Sequence, residues 1–511
     1  LFVGESIDPN DWQQGVTADQ IYQRVIDGVH HEDGHIILLH DAGGDTRKPT
    51  IEALPRIIET LQHEGYQFIS LEQYLGMNKQ TLMPAINKGK AYYAMQTNLW
   101  LAEMIYHVSD FLTALFLVFL VLGMMRLVFM YVLTFREKRA ENRRNYAPID
   151  AATAPAVSII VPGYNEEVNI VRTITTLKQQ DYPNLHIYFV DDGSKDHTLE
   201  RVREAFDTDD KVTVLAKKNG GKASALNYGI AACRSEYVVC IDADTQLKQD
   251  AVSRLMKHFI ADKDKRIGAV AGNVKVGNQR NMLTYWQAIE YTSSQNFDRM
   301  AYSNINAITV VPGAIGAFRK EVIEEVGGFT TDTLAEDCDL TMSINEHGYI
   351  IENENYAVAM TEAPETLRQF VKQRIRWCFG VMQAFWKHRS SLFSPSKKGF
   401  GLWAMPNMLI FQYIIPTFSP LADVLMLIGL FSGNALQIFF YYLIFLLIDA
   451  SVSIMAYIFE GERLWVLLWV IPQRFFYRWI MYYVLFKSYL KAIKGELQTW
   501  GVLKRTGHVG E

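Results

Sequence analysis

Long apolar runs alternate with polar stretches along the 511-residue chain. Residues 108–135 form an apolar run that is long enough to cross a bilayer, and a second apolar block covers residues 401–490. Between them, residues 151–395 alternate short β-branched runs with helical patterns. This alternation predicts an α/β domain with a mainly parallel sheet, flanked by transmembrane helices.

The charges that follow the first apolar run predict the orientation of the chain. Residues 136–150 form a basic linker that carries Arg136, Lys138, Arg139, Arg143 and Arg144. Basic residues next to a span favour the cytoplasmic side. We therefore expect residues 1–105 outside the membrane and residues 151–395 in the cytoplasm of a multi-pass protein of the inner or plasma membrane.

The second apolar block is less regular. Residues 436–459 and 464–490 are predicted spans, whereas prolines interrupt residues 403–430, which predicts kinks or a helix lying along the interface. The basic tail, residues 491–511, favours the inside. Three full spans would place it outside, so the sequence leaves the side of the C-terminus open.

Composition narrows the classes of function. The net charge of −5 and the pI near 6.2 argue against nucleic acid as a partner. All four cysteines lie in the middle block and none forms a C-x-x-C pair, which disfavours a disulfide framework or a zinc site. Because the chain begins at Leu1 without Met or a signal peptide, we expect it to be the C-terminal part of a longer protein.

Polar side chains follow each predicted strand of the middle domain. Residues 157–161 precede Asn165 and Glu166, residues 187–190 precede Asp191 and Asp192, residues 212–216 precede the loop 219–222, and the run from residue 237 ends in Asp242 and Asp244. The carboxyl ends of parallel strands meet at one edge of a sheet, where ligands bind. In an extended chain Asp242 and Asp244 point the same way, so both can approach Mg²⁺ or Mn²⁺.

Three further motifs carry chemistry. Two glycines and Lys222 stand before a helix and suit phosphate. Glu336 and Asp337 start a predicted helix, where acids are also ordinary caps. Gln373, Arg376 and Trp377 follow a charged helix and would alone suit a membrane interface. Walker A and G-x-G-x-x-G motifs are absent from the sequence, which disfavours P-loop and dinucleotide enzymes.

Taken in order, these pieces resemble the processive family-2 glycosyltransferases, whose pattern is D, D-x-D, [TE]-E-D and Q-x-x-R-W. The resemblance covers about residues 155–490, including the membrane flanks. One departure is Ala335, where cellulose synthases carry Thr; the Glu-Asp pair is intact. The resemblance implies a GT-A (Rossmann-like) domain within residues 151–395 that uses a UDP-sugar donor, a growing polysaccharide acceptor and Mg²⁺ or Mn²⁺.

The resemblance also implies a role for each site residue. The uridine pocket would be lined by Asn165, Glu166 and Asp192, with Asp191 the weaker candidate. Lys222 would meet the pyrophosphate, while Asp242 and Asp244 would hold ribose and metal, Asp244 more directly. Asp337, beside Glu336, would be the general base on the acceptor hydroxyl. The acceptor and the leaving diphosphate would contact Gln373, Arg376 and Trp377, and the reaction would invert the anomeric centre.

The outer segment carries a different pattern. Asp8, Asp11 and Trp12 precede a predicted strand at residues 34–41, which ends in His40 and Asp41. The combination resembles the D-x-x-D-W and L-x-H motifs of polysaccharide deacetylases (carbohydrate esterase family 4). It implies that residues 1–80 are the C-terminal part of a (β/α)-barrel, with a helix near residues 50–64.

In that family His40 would be the general acid, oriented by an aspartate of the earlier motif. The catalytic-base aspartate and the H-x-x-x-H metal site of the family would lie upstream of Leu1, so this chain is not expected to deacetylate by itself. Residues 81–107 are expected to be a linker.

The patterns together favour one function over two others. The first hypothesis is a membrane enzyme that polymerises N-acetylglucosamine from UDP-GlcNAc, as β-1,6-linked poly-N-acetylglucosamine, and exports it; the deacetylase tail favours an N-acetylated sugar. Chitin-type or hyaluronan-type synthesis is the nearest alternative. The others are a deacetylase whose inner domain serves as a membrane-anchored accessory, and a non-catalytic sensor that binds the nucleotide.

Overall fold

The computed structural model of the chain describes residues 4–31, 36–41, 46–82, 88–430 and 435–494. The chain divides into two compact units, Leu1–Thr113 and Ala114–Glu511. The last part of the basic tail, residues 495–511, lies outside the described residues.

The first unit is built on two amphipathic helices. Its helices are α1 (Ala18–His31), α2 (Lys48–His63), α3 (Leu71–Leu75) and α4 (Lys79–Leu82). Ile21 and Val25 on α1 pack with Ala53 and Ile57 on α2, all fully or almost fully buried, because apolar residues four positions apart share one helix face. The predicted helix at residues 50–64 is therefore present as α2.

The predicted strand at residues 34–41 is only partly observed. Residues 34 and 35 lie outside the described part of the chain. Within the rest, Ile37 pairs with Ile7 in a single parallel bridge, so a regular strand is not formed. A short apolar run without a ladder of neighbouring strands has too few backbone hydrogen bonds to stay extended over its length.

One long helix, α5 (Lys90–Arg143), contains the first predicted span. It begins inside the predicted linker and continues into the basic segment, because no proline interrupts its 54 residues. Among the described residues, two helices are long and apolar enough to cross a membrane: α5 and the helical segment Phe400–Leu427.

An eight-stranded sheet forms the centre of the second unit. Its strands are β1 (Val157–Gly163), β2 (Leu185–Asp191), β3 (Val212–Ala216), β4 (Tyr237–Cys240), β5 (Gln246–Leu247), β6 (Ile267–Val276), β7 (Gly316–Arg319) and β8 (Ile350–Thr361). They lie in the order β3-β2-β1-β4-β7-β6-β8-β5.

The sheet is mixed rather than mainly parallel. The strands β3, β2, β1 and β4 are parallel, as the alternation of strand and helix predicted. Strand β7 is antiparallel to both of its neighbours, β4 and β6, and β5 is antiparallel to β8. The direction of a four-residue strand such as β7 depends on the path of the chain that leads into it, which its own residues do not encode.

Helices cover both faces of this sheet. They are α6 (Ile170–Lys178), α7 (Thr198–Phe206), α8 (Lys222–Ala232), α9 (Ala251–Ala261), α10 (Met282–Glu290), α11 (Phe297–Ser303), α12 (Lys320–Glu325), α13 (Glu336–Glu346) and α14 (Leu367–Lys387). A π-helix, Tyr291–Asn296, joins α10 directly to α11. Along β1, Ile159 belongs to the core that contains α6, and Ile160 to the core that contains α8.

The C-terminal part is helical throughout its described residues apart from short connections. It contains α15 (Met405–Asn407), α16 (Ile415–Leu430), α17 (Ala435–Glu460) and α18 (Val470–Lys494). Two π-helical stretches, Phe400–Ala404 and Met408–Ile414, run continuously with α15 and α16. Helices α17 and α18 correspond to the later predicted spans, and that they span a membrane stays a prediction. Lys275 on β6 pairs with Glu460 at the end of α17 at 3.2 Å.

Candidate active site

A single cavity of about 350 Å³ lies beyond the carboxyl end of β4. It gathers eight of the side chains that the sequence singled out, from four separate segments of the chain. They are Lys222, Asp242, Asp244, Glu336, Asp337, Gln373, Arg376 and Trp377.

Asp242 and Asp244 reach this cavity from a turn and not from an extended strand. Strand β4 ends at Cys240, and the N–H group of Thr245 donates to the carbonyl oxygen of Asp242 at 3.1 Å. The i, i+2 argument from an extended chain was therefore wrong in its geometry, although both carboxylates line one cavity.

Lys222, the first residue of α8, lies between two carboxylates. Its Nζ atom is 2.7 Å from Oδ1 of Asp242 and 3.0 Å from Oε1 of Glu336. Burial alone would lower the pKa of Lys222, but these carboxylates raise it well above its ordinary value. A Cβ atom at Gly313 would lie 2.5 Å from this Nζ atom, so the ammonium group needs a glycine at that position.

Asp192 is held by the loop that the sequence predicted as a phosphate cradle. The N–H groups of Gly220 and Gly221 donate to its carboxylate at 3.0 and 2.7 Å, and the Nζ atom of Lys217 lies 2.7 Å from Oδ1. In this structure a carboxylate from the end of β2 thus accepts the hydrogen bonds of both glycine N–H groups, and binding of phosphate by this loop and Lys222 stays a prediction.

The loops after β1 and β2 are hydrogen-bonded to each other, and their side chains do not line the cavity. The side chain of Asn165 accepts from the N–H group of Lys195 at 2.8 Å, and the N–H group of Glu166 donates to Thr198. Asp191 is almost fully buried, and its Oδ2 atom accepts from two N–H groups of its own loop. Uridine contacts by these loops stay a prediction.

Asp337 lies in the cavity wall at the start of α13. Its carboxylate accepts from the N–H groups of Cys338 at 2.8 Å and Gly313 at 3.3 Å. Burial, and then repulsion from Glu336, raise the pKa of Asp337 to about 6, although Lys222 acts in the opposite direction. A carboxylate with this pKa is mostly ionised at neutral pH yet is basic enough to accept a proton.

Gln373, Arg376 and Trp377 lie inside α14, not after a helix as predicted. The ring of Trp377 stacks on Tyr291, with centroids 6.4 Å apart and planes inclined by 23°. The guanidinium group of Arg374 lies 4.3 Å from the ring of Trp377 and 2.5 Å from a carboxylate oxygen of Glu290. These contacts fix the aromatic ring against the cavity.

Helices α13 and α14 are held together behind the cavity. A Cβ atom at Gly380 would lie 2.7 Å from the backbone nitrogen of Ala335, directly before Glu336. Further along, the ring of His388 lies 3.0 Å from Asp339 and 2.9 Å from Glu346. Burial alone would lower the pKa of His388, but the two carboxylates raise it to about 9.

Sequence reasoning missed one wall of the cavity. Side chains recur there every three or four residues along the π-helix and α11: Tyr291, Ser294, Gln295, Asp298, Arg299 and Tyr302. That spacing was visible in the sequence, but nothing in it connected this stretch to the motifs. Arg374 was also missed, although it stands next to Gln373.

The first unit contains the remaining predicted residue, His40. Its Nδ1 atom lies 2.8 Å from Oδ1 of Asp11, and Asp11 also accepts from Thr50 at 2.9 Å. Burial would raise the pKa of Asp11, but hydrogen bonds from His40 and Thr50 lower it. Ligand-type atoms of Asp8, Asp11 and His40 all lie within 4.8 Å of one another, so the two halves of the predicted motif meet.

The sheet and this cavity define a class of protein. Residues 158–327 match the sequence model of Glycosyl transferase family 2, so the chain carries a family 2 glycosyltransferase domain. This match confirms the predicted enzyme class, and with the mixed sheet it supports the predicted GT-A fold.

Among curated relatives, the chain is similar to two staphylococcal enzymes with the name poly-beta-1,6-N-acetyl-D-glucosamine synthase. It is 31% identical over 256 residues to that of Staphylococcus epidermidis, which covers 49% of this chain and 62% of the relative. It is 32% identical over 260 residues to that of Staphylococcus aureus strain COL, which covers 51% and 61%. The chain thus spans about three fifths of the length of these relatives.

Among solved structures, the chain is similar to a mannosyltransferase, PcManGT from Pyrobaculum calidifontis, in complex with GDP-Man and Mn²⁺. The two share 24% sequence identity, with a TM-score of 0.49, over 68% of this chain and 95% of that one. A similarity this distant leaves the donor and the metal of this chain open.

Proposed function

We propose that the chain is a processive, inverting glycosyltransferase that polymerises N-acetylglucosamine from UDP-GlcNAc, as β-1,6-linked poly-N-acetylglucosamine. The observation that carries this proposal is the convergence of eight motif side chains on one cavity beyond β4. The names of the staphylococcal relatives support the choice of sugar and linkage.

Asp242 and Asp244 are the residues that would hold a divalent cation. Both carboxylates line the cavity, and carboxylate oxygens are the ligands that Mg²⁺ and Mn²⁺ prefer, so the donor set fits. When bound, such a cation neutralises the charge that develops on the leaving UDP. Arg376 lines the same cavity and adds positive charge for the diphosphate.

Asp337 would accept the proton of the acceptor hydroxyl as the new glycosidic bond forms. A direct attack of this kind inverts the anomeric centre and turns an α-linked UDP-sugar into a β-linked polymer. Trp377, stacked on Tyr291, would offer a flat apolar surface to the acceptor sugar, with Gln373 beside it. The donor's uridine would lie near Asn165, Glu166, Asp191 and Asp192, at the ends of β1 and β2.

The polymer would be made in the cytoplasm and exported across the membrane. Helix α5 and the segment Phe400–Leu427 are long and apolar enough to cross a bilayer. Basic residues follow the apolar part of α5, which favours a cytoplasmic position for the glycosyltransferase domain. The proposal therefore includes a lipid membrane as a partner and multi-pass insertion.

Membranes that contain the protein test this proposal directly. They are supplied with radiolabelled UDP-GlcNAc and Mg²⁺ or Mn²⁺, and the product is digested with a β-1,6-specific hydrolase. The expected result is a labelled polymer that this hydrolase degrades. A product that resists it but is cleaved by chitinase would replace the linkage by a chitin-type one, and no polymer from any UDP-sugar would contradict the proposal.

A second proposal concerns the first unit, which we infer to be the end of a polysaccharide deacetylase domain. The hydrogen bond between Asp11 and His40 supports it, because a carboxylate that orients a histidine suits a general acid. Acetate release from N-acetylglucosamine polymer without UDP-GlcNAc is the test. None is expected from this chain alone, and metal-dependent release would favour hydrolysis as its main activity.

A further inference from the structure

Two buried polar groups on the cavity wall lack hydrogen-bond partners in the described part of the chain. They are the Nε atom of Arg299, on α11, and the Oε1 atom of Gln373, on α14. Arg299 is 6% exposed and Gln373 is 7% exposed, and both line the cavity. An unsatisfied buried donor or acceptor costs about 1–3 kcal/mol, so a protein keeps such groups where a ligand completes them.

Arg299 does not find a full set of hydrogen-bond partners among the residues that the structure describes. One of its terminal nitrogens donates to Asn296 in the π-helix, and its Nε atom has no hydrogen-bond partner in the described part of the chain. Burial lowers the pKa of Arg299 to about 10, although Glu460 and Asp298 act in the opposite direction. The Nε–H group of Arg299 is thus a hydrogen-bond donor at the cavity wall without a partner among the described residues.

The two unsatisfied groups are chemically complementary. The Nε–H group of Arg299 is a donor and Oε1 of Gln373 is an acceptor. A secondary amide presents the reverse pair, a carbonyl oxygen and an N–H group. A diphosphate presents acceptors only, so it would satisfy Arg299 and leave Oε1 of Gln373 facing other oxygens.

We propose that Arg299 and Gln373 form a subsite for the acetamido group of N-acetylglucosamine, with the Nε–H group of Arg299 donating to its carbonyl oxygen and Oε1 of Gln373 accepting from its N–H group. This inference rests on the proposed function and goes beyond it, since it assigns the selection of the N-acetylated sugar to two side chains. A site built to hydrogen-bond a substrate group discriminates strongly against an analogue that lacks the group.

The test compares UDP-GlcNAc with UDP-glucose, which carries a hydroxyl in place of the acetamido group. A second arm compares β-1,6-linked oligomers of N-acetylglucosamine with those of glucose as acceptors, because either bound sugar brings the same acetamido group. Arg299→Met, which keeps an unbranched apolar stem but removes the guanidinium donors, is expected to lower the preference for the N-acetylated substrate about ten- to hundredfold in one of the two arms. Arg203→Met, at an exposed position of α7, is the matched control and should keep the full preference.

Two measurements separate this role from others. The affinity for UDP alone should stay unchanged in Arg299→Met, and a loss as large as the loss for UDP-GlcNAc would make Arg299 a diphosphate ligand and overturn the inference. If the variant does not fold, as thermal unfolding would show, Gln373→Met removes the other half of the subsite and is expected to give the same loss of preference.

The outcomes distinguish the inference from the function on which it rests. If the wild-type protein transfers N-acetylglucosamine and both variants keep its full preference in both arms, the subsite is wrong and the proposed function stands. If the wild-type protein transfers no sugar, both proposals fail.

Discussion

At the scale of single residues, positively and negatively charged side chains lie close together in the cavity, which excludes much of the solvent. Lys222 lies within 3.0 Å of both Asp242 and Glu336, and Asp337 stands next in the chain. One ammonium group thus faces three carboxylates. Because charges attract and repel more strongly away from water, small changes in this set should have large effects on protonation.

Asp337→Asn should lower polymer synthesis by about 10²–10⁴-fold. The amide keeps the shape of the side chain but cannot accept the proton of the acceptor hydroxyl. Binding of UDP, measured by calorimetry, should stay close to that of the wild type. Synthesis that survives in the variant would contradict the assignment of Asp337 as the base.

The rate of synthesis should rise with pH through about 6. Asp337 must be ionised to act as a base, and its pKa is raised to about 6 by burial and by Glu336. Below this pH the proton blocks the reaction, and above it the rate reaches a plateau. Glu336→Gln removes one source of repulsion, so its pH–rate profile should have a more acidic midpoint; an unchanged midpoint would contradict the coupling.

These residues differ in how far the sequence could predict them. The eight motif residues were predictable because each stands in a short, ordered pattern. The contact of Asp192 with Gly220 and Gly221 was not, since it depends on how two loops approach each other in space. Arg299 was missed for the same reason: its relation to Gln373 exists only once α11 and α14 share a cavity.

At the scale of elements, the relation between α13 and α14 decides the geometry of the site. Helix α13 begins with Glu336 and Asp337, and α14 carries Gln373, Arg376 and Trp377. The two helices meet closely at Gly380, where no side chain separates α14 from the backbone before Glu336. The distance between Asp337, the proposed base, and Trp377, the proposed surface for the acceptor, therefore depends on this contact.

Gly380→Ala should lower the rate of synthesis by at least about tenfold while UDP binding persists. Its Cβ atom would come within 2.7 Å of backbone that precedes Glu336, and a shift of about 1 Å in an active site can reduce the rate about a hundredfold. Gly123→Ala is the matched control, because that helical glycine has no atom within 4 Å of the added Cβ. Equal activity of the two variants would contradict the role of this contact.

The pairing of α13 with α14 should weaken in alkaline solution. His388 has a pKa raised to about 9 by Asp339 and Glu346, against about 6.5 in an unfolded chain. Its contribution is therefore complete below pH 6.5 and is lost as the pH rises through 9, on the order of 3 kcal/mol. Thermal unfolding at several pH values measures this loss. His388→Gln should flatten the dependence, whereas replacing the exposed His347 by Gln should leave it unchanged.

The sequence predicted elements better than their arrangement. Strands β1 to β4 and the helix α8 were recognisable, because β-branched runs and turn residues mark their limits. The antiparallel direction of β7 and the π-helix Tyr291–Asn296 were not, since both are set by packing between elements. The length of α5 was underestimated because apolarity marks only the part of a helix that suits a membrane.

At the scale of the whole molecule, catalytic and apolar parts are joined by polar contacts. Lys275 on β6 pairs with Glu460 at the end of α17. Arg126, in the apolar part of α5, pairs with Asp298 at 2.9 Å, and its Nε atom donates to Asn407 at 2.8 Å. Asp298 lines the cavity, so one ion pair connects α5 to the wall of the site.

Removing the divalent cation should stop synthesis without unfolding the protein. Lys222 already balances Asp242 and Glu336, so the carboxylates are not left to repel one another. With EDTA, the Tm of the wild type should fall only as far as the lost free energy of metal binding accounts for. On chelation, the Tm of Lys222→Met should fall clearly more than that of the wild type. Equal falls would contradict the conclusion that Lys222 balances the charges of these carboxylates.

The ammonium group of Lys222 also bears on how the enzyme would respond to a shortage of metal in the cell. A catalytic centre that depended on its metal for shape would be damaged whenever the ion became scarce. Because Lys222 contacts Asp242 and Glu336 directly, scarcity of the metal would stop the proposed synthesis and leave the protein folded. When the ion returned, the proposed synthesis would resume on the same scaffold, so the supply of metal would control output reversibly.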